Sequence, residues 1–370
     1  MKLTGKAFMW RPEIGFAVKF TLSCNFILSL LSKCAAMKVK PILLLSLLAA
    51  PLCVTQAQEK PKEIAITEVE KAGPDFLIQG EYEGEIVRGD KTSKYAAQIA
   101  ALGEGKFRGN FLEGGLPGAG WDGKNLLYLD SETKDDKITF GGKEFFAEIN
   151  GDVITGTRAP DARFTLKKVL RRSPSEGAKA PAGAIVLFDG TATDEWNSGE
   201  MDERKLLKAL SPGGPSTKRD VKNFTLHLEF VLPFQPKAKG QARGNGGVYI
   251  QRRYEVQILD SFGFKLDDKK AVGDLSGEIY KQKVPDVSMN YPPLSWQTYD
   301  IDFQAAQFEG DKKVKNAVIT LRHNGVVVHD NYEITAKTGA GQPEGPEAKP
   351  ILLQNHGNPV FFRNIWLVEK

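Results

Sequence analysis

The feature that most constrains the fold is a succession of short β-type runs separated by turn residues, with almost no helical periodicity. Two pairs of runs are joined by Asn150-Gly151 and Asn324-Gly325, dipeptides typical of tight hairpins. Glu203–Leu210 is the one short helix candidate. Many short strands with frequent turns predict an all-β protein, a sandwich or jelly roll.

The predicted strands divide into two groups. A smaller β-rich domain spans 63–171, a linker rich in Ser, Pro, Ala and Gly spans 172–183, and a second β domain spans 184–370. The strands are Tyr95–Leu102, Lys106–Leu112, Glu144–Ile149, Asp152–Thr157, Asn223–Leu232, Gly247–Gln251, Tyr254–Leu259, Trp296–Gln304, Asn316–Arg322, Val326–His329, Ile351–Gln354 and Val360–Val368. Two long aperiodic segments, Ser261–Leu294 and Thr335–Pro350, are predicted to rim one face or edge of the second domain.

The first 57 residues read as a leader that ends in a signal peptide. From Met37 the chain has a basic start, an apolar run over 42–50 and small residues at Thr55-Gln56-Ala57. The run is short for a bilayer span, which favours cleavage over anchoring. We interpret Met37 as the true start and predict an exported protein, periplasmic or extracellular, with no transmembrane segment in the mature chain.

The composition of the mature chain excludes several functions. Cys24, Cys34 and Cys53 all precede residue 57, so disulfides, thiolate metal sites and a cysteine nucleophile are excluded. Seven of the 50 basic and one of the 46 acidic residues lie in 1–57, which leaves a net charge near −2 instead of +4. No basic stripe interleaved with aromatic residues is present, so nucleic acid is not an expected partner.

The most informative strand is Tyr254–Asp260. Alternation places Glu255 and Gln257 on the face opposite Tyr254, and a β-bulge would bring Asp260 to the same face. The spacing resembles the acidic strand motif of laminarinase-type β-jelly-roll glycosidases. The plainer interpretation is the polar outer face of an antiparallel strand.

A second constellation follows near the end of the chain. Gln354 and His356 share a face before Gly357, and Arg363 follows on the next strand. Of the other histidines, His323 and His329 flank a hairpin and are predicted to be exposed. His227 lies on the polar face of its strand and is either buried in the cleft or solvated.

A third constellation could contact a sugar. Asn245 precedes a glycine-rich strand entry, where a ligand or a bulge could approach the backbone closely. Tyr249 and Gln251 are predicted to share a face on that strand, while Tyr280 and Trp296 are further stacking candidates. For each aromatic residue alone, core packing is the commoner role.

An ordered set of short motifs resembles the 3-keto-disaccharide hydrolase family, once a domain of unknown function. The motifs are Leu187-Phe188-Asp189-Gly190, Gly244-Asn245-Gly246-Gly247-Val248-Tyr249, Tyr254-Glu255-Val256-Gln257-Ile258-Leu259-Asp260, Gly277-Glu278-Ile279-Tyr280, His323-Asn324-Gly325, Leu353-Gln354-Asn355-His356-Gly357 and Phe362-Arg363-Asn364-Ile365. The resemblance covers 184–370 and implies a concanavalin-like β-sandwich, often exported. The smaller domain resembles an accessory β domain of some relatives.

The resemblance implies cleavage of 3-keto-glycosides by proton abstraction at C2, followed by elimination or net hydrolysis. Such a reaction needs a base, an enolate donor and an acid for the leaving oxygen. Glu255 or His356 could be the base, Asp260 the acid, and Arg363 with Gln354 the enolate donors. His356, Glu255 and Asp260 could instead hold a divalent metal, so the cofactor is left open.

Three functions follow from these residues. The first is an enzyme acting on an oxidised disaccharide or glycoside. The second is a lectin-like module that binds glycan without cleaving it, since sandwich folds serve both purposes. The third is an ordinary glycosidase acting on unoxidised polysaccharide. All three depend on Glu255, Asp260 and His356 meeting around one hollow.

Overall fold

The structure is a computed structural model that describes residues 63–264 and 273–370. The predicted leader and signal peptide over 1–57 lie outside the described residues. Residues 62–370 form one compact unit. In the described ranges, no helix has both the length and the apolar character needed to cross a bilayer.

Strands make up nearly half of the described chain and helices only a few per cent, which confirms the all-β prediction. One short helix, α1 (Pro74–Ile78), and two 3-10 turns, Val69–Lys71 and Gly240–Ala242, accompany them. The strands are β1 (Gly80–Arg88), β2 (Lys91–Gly103), β3 (Lys106–Glu113), β4 (Leu126–Glu132), β5 (Ile138–Gly141), β6 (Phe145–Asn150), β7 (Val153–Arg158), β8 (Ala162–Val169), β9 (Ile185–Phe188), β10 (Trp196–Asn197), β11 (Glu200–Met201), β12 (Leu207–Lys208), β13 (Ser216–Thr217), β14 (Phe224–Val231), β15 (Gly246–Ile250), β16 (Tyr254–Ile258), β17 (Trp296–Gln304), β18 (Gln307–Glu309), β19 (Lys312–Lys315), β20 (Ala317–His323), β21 (Val326–Ile334), β22 (Leu352–Leu353) and β23 (Phe361–Glu369).

The first eight strands form one antiparallel sheet in the order β4-β3-β2-β1-β8-β7-β6-β5. The sheet is strongly curved, because Phe111 on β3 packs on Phe140 of β5 (ring centroids 5.6 Å apart) and on Phe145 of β6 (4.6 Å). Interior positions alternate with outward ones along each strand, so apolar side chains fill the inside. We call this element the rolled sheet.

The remaining strands form a sandwich of two sheets. The small sheet has the order β10-β13-β22-β15-β16, and the large sheet has the order β11-β12-β23-β14-β17-β20-β21 with β9 beside β23. On β14, Leu226, Leu228 and Phe230 face the core. Val248 and Val256 of the small sheet belong to the same core. Burial of these facing apolar surfaces holds the two sheets together.

Both predicted hairpins are present. Asn150-Gly151 joins β6 to β7, and Asn324-Gly325 joins β20 to β21. Asn324 (φ 51°) and Gly325 (φ 81°) both have the left-handed conformation that a two-residue hairpin requires.

The helix predicted over Glu203–Leu210 is wrong. Asp202 instead organises a turn, with its Oδ1 accepting from the backbone nitrogens of Arg204 (3.0 Å) and Leu206 (3.0 Å). The chain then enters β12, which adds to the large sheet beside β23. Local side-chain hydrogen bonding competes successfully with a weak helical pattern here.

The segment 172–183 lies against the large sheet. Ser175 Oγ donates to Asp300 Oδ2 (2.7 Å), and the Gly177 nitrogen donates to Glu229 Oε1 (2.6 Å). Because Glu229 is fully buried, the segment supplies a hydrogen bond that its carboxylate would otherwise lack.

The rolled sheet and the sandwich meet at a close backbone approach. Asn110 Nδ2 donates to the Gly263 carbonyl (2.9 Å). Gly263 has φ +69°, and a Cβ placed there would lie 2.9 Å from the Ala100 Cβ. Only glycine fits both the conformation and the space.

We therefore expect Gly263→Ala to destabilise the protein more than Gly310→Ala, the matched control. Gly310 has a similar φ of +56° with nothing within 4 Å of its Cβ position. Gly310→Ala should lower the free energy of unfolding by about 1 kcal/mol, because alanine is disfavoured in the left-handed conformation. Gly263→Ala should lower it by about 1–3 kcal/mol more because of the clash. Urea unfolding measures both variants, and equal losses would contradict a close approach at Gly263.

Candidate functional site

The outer face of the small sheet carries a buried acidic residue. β15 and β16 pair antiparallel with Tyr249 opposite Glu255 and Gly247 opposite Gln257. Since Val256 faces the core, Glu255 and Gln257 face outward, as the strand alternation predicted. Both side chains are nonetheless buried, with Glu255 3% exposed.

Parts of the two long aperiodic segments, Ser261–Leu294 and Thr335–Pro350, cover this face. β16 is the last strand of the small sheet, and the Tyr280 nitrogen donates to the Glu255 carbonyl (3.1 Å) along its edge. The Glu255 nitrogen donates to Thr338 Oγ1 (2.6 Å). These hydrogen bonds pair backbone groups on the edge of β16 that would otherwise be unpaired, and they hold both segments beside the polar face.

The Glu255 carboxyl has partners on both oxygens. The Tyr249 hydroxyl donates to Oε2 (2.6 Å). With its amide oriented to satisfy its neighbours, Gln257 donates to Oε1 (3.1 Å) and to the Gly246 carbonyl (3.0 Å), and accepts from Gln241 Nε2 (3.2 Å). The carboxyl is thus held in one orientation.

Burial raises the pKa of Glu255 from 4.5 to about 7. The hydrogen bond from Tyr249 acts in the opposite direction, the negative charge of Glu278 raises the pKa further, and Lys281 lowers it. A carboxyl with a pKa near 7 can accept or release a proton at neutral pH, which is the property expected of a general base or acid.

Glu278 is a second buried carboxylate that the sequence analysis did not select. It is fully buried and accepts from the backbone nitrogens of Gly273 (2.7 Å) and Lys281 (2.7 Å). Burial raises its pKa. The signal that could have found it was its place in the Gly277-Glu278-Ile279-Tyr280 motif.

Two glycines leave room around the Glu255 carboxyl. A Cβ at Gly247 would lie 2.8 Å from Glu255 Oε1 and 3.1 Å from Gln354 Oε1, while one at Gly339 would lie 3.1 Å from Glu255 Oε2 and 2.9 Å from the Tyr280 ring. Gln354 Oε1 is buried and has no partner among the described residues. We call the following residues the Glu255 cluster: Tyr249, Glu255, Gln257, Glu278, Tyr280 and Gln354.

Asn245 is connected to this cluster through Gln241. Its Nδ2 donates to the carbonyl and to Oε1 of Gln241 (2.8 Å each). Gln241 in turn bonds to Gln257, so Asn245 supports the cluster through Gln241. Gln241 itself was not selected from the sequence.

Asp260 does not join Glu255. The strand ends at Ile258 without the predicted bulge, and Asp260 Oδ2 accepts from Arg243 Nε (2.7 Å) in a fully buried ion pair. Arg243 also donates to the Pro236 carbonyl (2.8 Å). The carboxylate that was predicted to act as the acid is therefore engaged in fixing loops.

Arg363 and Trp296 lie on the other sheet. They belong to β23 and β17 of the large sheet, where the Arg363 guanidinium stacks on the Trp296 ring 3.8 Å from its centroid. Arg363 also pairs with Glu229 (2.6 Å) and Glu176 (2.9 Å). The structure therefore does not bring these two residues into the Glu255 cluster, because both belong to the large sheet.

Gln251 and His356 are also outside the cluster. Gln251 has φ 51° in the turn after β15, where its Nε2 donates to the Val221 carbonyl (2.8 Å) and its Oε1 accepts from Arg253 (3.2 Å). His356 is exposed in the turn after Gln354. Gln251 therefore has a structural role, and His356 is not buried with Glu255.

The residues predicted to bind a divalent metal do not fit one. Asp260 is paired with Arg243, and His356 is exposed away from that pair. Across 63–264 and 273–370, no three His, Cys, Asp or Glu side chains are grouped so that they could hold a metal ion. The Glu255, Asp260 and His356 ligand set is therefore not supported.

The prediction that His323 and His329 are exposed is wrong. Both are fully buried, and burial lowers the pKa of His323 to about 3 and of His329 to about 4. His323 Nε2 lies 2.9 Å from Gln297 Oε1. His227 is buried too, 2.6 Å from Asp300. Their position on strands of the large sheet decides their burial.

Comparison with known proteins gives matches to one family. The sequence model of the 3-keto-alpha-glucoside-1,2-lyase-like domain matches residues 183–368. Three crystal structures of candidate glycosyl hydrolases from Parabacteroides distasonis are similar. The first is 33% identical in sequence, with a TM-score of 0.47, and the match covers 52% of this chain and 85% of that protein's chain. The second is 16% identical (TM-score 0.38; 55% and 98% covered), and the third is 22% identical (0.36; 50% and 99%). No similar protein was found among those with curated functions.

We expect Asp260→Asn to act on stability. The change leaves the buried Arg243 guanidinium without its counter-charge, which should lower the free energy of unfolding by about 3–5 kcal/mol. Asp130→Asn is the matched control, since Asp130 also pairs with an arginine (Arg108, 2.9 Å) but is 54% exposed. It should cost less than about 1 kcal/mol. Urea unfolding compares them, and similar small losses would show that the Arg243–Asp260 pair is not buried.

We expect Glu255→Gln to change how stability depends on pH. A folded-state pKa near 7 means that the folded protein holds a proton that the unfolded chain releases near 4.5. The contribution of Glu255 to the stability of the native protein therefore falls as pH rises from about 4.5 to 7, by about 3 kcal/mol in all. The variant lacks this loss, so its stability relative to native protein should rise between pH 4.5 and 8.

Urea-unfolding midpoints at the two pH values measure this difference, and any constant effect of the substitution cancels. Glu309→Gln, at an exposed strand position, is the control and should show no such trend. Parallel pH profiles for the native protein and Glu255→Gln would mean that Glu255 has an ordinary pKa.

Proposed function

The chain belongs to the family of 3-keto-alpha-glucoside-1,2-lyase-like domains through residues 183–368, and from this membership we propose that it is an exported enzyme that cleaves 3-keto-glycosides with Glu255 as the base. The substrate is an oxidised glycan or disaccharide that carries a ketone at C3. The family supports the coarser assignment as a carbohydrate-active enzyme, and the Glu255 cluster supports the chemistry.

The observation that carries the proposal is the buried Glu255 carboxyl with a pKa near 7. Strength as a base increases with pKa, and a base works best when its pKa lies close to the working pH. The hydrogen bond from Tyr249 (2.6 Å) keeps the carboxyl oriented as it titrates. A solvated glutamate with a pKa of 4.5 would be a weaker base for a C–H proton.

The proposed reaction starts from the acidity of the C2 hydrogen. The C3 ketone accepts the electron pair of the C2–H bond as an enolate, while Glu255 takes the proton. The enolate then re-forms the ketone, the electron pair makes the C1–C2 double bond, and the C1–oxygen bond breaks with protonation of the aglycone oxygen. Addition of water across the double bond returns a proton to C2 and places a hydroxyl on C1, which completes net hydrolysis.

We assign the other roles to neighbours of Glu255. The Gln354 amide lies beside Glu255 at Gly247, and its Nε2 is assigned to donate to the enolate oxygen. Lys281, whose charge lowers the pKa of Glu255, is assigned to protonate the aglycone oxygen. These assignments replace Arg363 and Asp260, which the fold uses elsewhere.

A binding protein without catalysis is the second candidate. One observation favours it: of the three titratable groups expected around one hollow, only Glu255 lies in the cluster, since Asp260 is paired with Arg243 and His356 is exposed. A lectin would use the same amides and tyrosines to hold hydroxyl groups.

The test is turnover of a 3-keto-glucoside by the chain without its leader. The native protein should release aglycone with kcat/KM rising with pH through about 7, because the base must be ionised. Glu255→Gln should lower kcat by about 10²–10⁴-fold. Glu309→Gln is the control and should match the native protein.

Two further measurements separate the alternatives. A substrate deuterated at C2 should react more slowly than the protonated one if C2 proton abstraction limits the rate, whereas an ordinary glycosidase mechanism shows no such primary effect. Binding of the 3-keto-glucoside without aglycone release, with and without a chelator and added divalent metal, would overturn the proposal in favour of the binding protein.

A further inference from the structure

One end of the rolled sheet presents charged side chains to its interior. Interior positions alternate along each strand, so Arg88 follows Ile86 on β1, Glu113 follows Phe111 on β3, and Arg158 ends β7 on the face of Ile154. All three lie at the end where β1, β3 and β7 finish. We call this end the mouth of the rolled sheet.

The mouth carries more positive than negative charge. Glu113 Oε1 accepts from Arg158 Nη1 (2.6 Å) and also from Arg88 Nη2. Lys124 lines the same opening. Two guanidiniums thus bind one carboxylate, with Lys124 at the same opening. Because each guanidinium has five N–H groups, donors remain after Glu113 has been bound.

A buried hydroxyl lies below these charges, without a hydrogen bond of regular geometry among the described residues. Tyr95 is directly opposite Glu113 on the neighbouring strand, and its ring packs edge-on against Phe164 (5.1 Å). It is 1% exposed, and in the part of the chain that the structure describes its hydroxyl makes no hydrogen bond of regular geometry, with the Arg158 side chain beside it. Burial raises the pKa of Tyr95 to about 12, while the interaction with Arg158 acts in the opposite direction.

An open cavity of about 440 Å³ lies among the charged groups of the mouth. Its walls combine the three charged mouth residues with apolar Phe111 and Leu127 and polar Asn125. The volume lies within the range of small-molecule sites, and the mouths of β-barrels are a common place for them.

From this arrangement we infer that the mouth of the rolled sheet binds a carboxylated sugar, that is, a uronic acid residue. The carboxylate pairs with the guanidiniums of Arg88 and Arg158, which match its geometry. An apolar ring face lies against Phe111 and Leu127, and the Tyr95 hydroxyl below the cavity helps to position Arg158. The site is separate from the Glu255 cluster and does not depend on its chemistry.

The structural alternative is a polar plug that closes the end of a rolled sheet. A plug explains the ion pairs between Glu113 and the two arginines. It does not explain why the buried Tyr95 hydroxyl is left without a hydrogen bond of regular geometry, since phenylalanine would fill the same space at lower cost. Tyr95→Phe therefore separates the two interpretations.

Isothermal titration of the chain without its leader tests the inference with sodium glucuronate. Methyl glucoside and sodium acetate are the comparison ligands, which lack the carboxylate and the sugar ring respectively. We expect saturable binding of glucuronate, and affinities at least about tenfold weaker for the other two. Equal affinity for acetate would overturn the assignment of a sugar, and absence of glucuronate binding would overturn the site.

Variants locate the binding. Tyr95→Phe should weaken glucuronate binding about threefold or more without lowering the unfolding temperature, and Arg158→Gln should weaken it about tenfold. Arg163→Gln, exposed on β8, is the control and should leave binding unchanged. Native affinity in both Tyr95→Phe and Arg158→Gln would show that glucuronate binds elsewhere and overturn the inference.

Discussion

A carboxyl group removed from water on the outer face of a sheet is the constraint on which the rest of the site depends. The outward side of β16 would ordinarily be solvated, and Glu255 would then be an ordinary surface acid. Here the backbone of Tyr280 and the side chain of Thr338 bond to β16 and bring their segments over it. Gly339 lets that cover come close to the carboxyl, and Gly247 leaves room for the side chains of Glu255 and Gln354.

The other buried charges of the sandwich have a different task. Asp260 with Arg243, and Glu229 with Arg363, are opposite charges in direct contact, which makes them fixed anchors for loops. Glu255 has a hydroxyl and an amide as partners instead, with no cation in direct contact among the described residues. The fold thus neutralises some acids and leaves this one able to titrate.

Much of the fold could be predicted from the sequence, because period-two alternation and Asn-Gly turns are local signals. The alternation also predicted correctly that Glu255 and Gln257 share a face. It could not predict the position of Asp260, because whether a strand bulges or ends depends on a partner, Arg243, that lies seventeen residues earlier. Nor could it show that Arg363 and Trp296 belong to the opposite sheet, since the assignment of strands to sheets is a long-range property. Glu278 was missed because it lies in a loop with no period.

The packing of 172–183 on the large sheet has a consequence for how the chain can be divided. The family match begins at residue 183, yet Gly177 supplies a hydrogen bond to the buried Glu229 carboxylate, and Ser175 binds Asp300. A fragment trimmed to the matched region would keep every strand of the sandwich and lose these donors. The region that matches the family and the region that keeps these stabilising hydrogen bonds therefore have different boundaries. Fragments for expression should begin before Ser173.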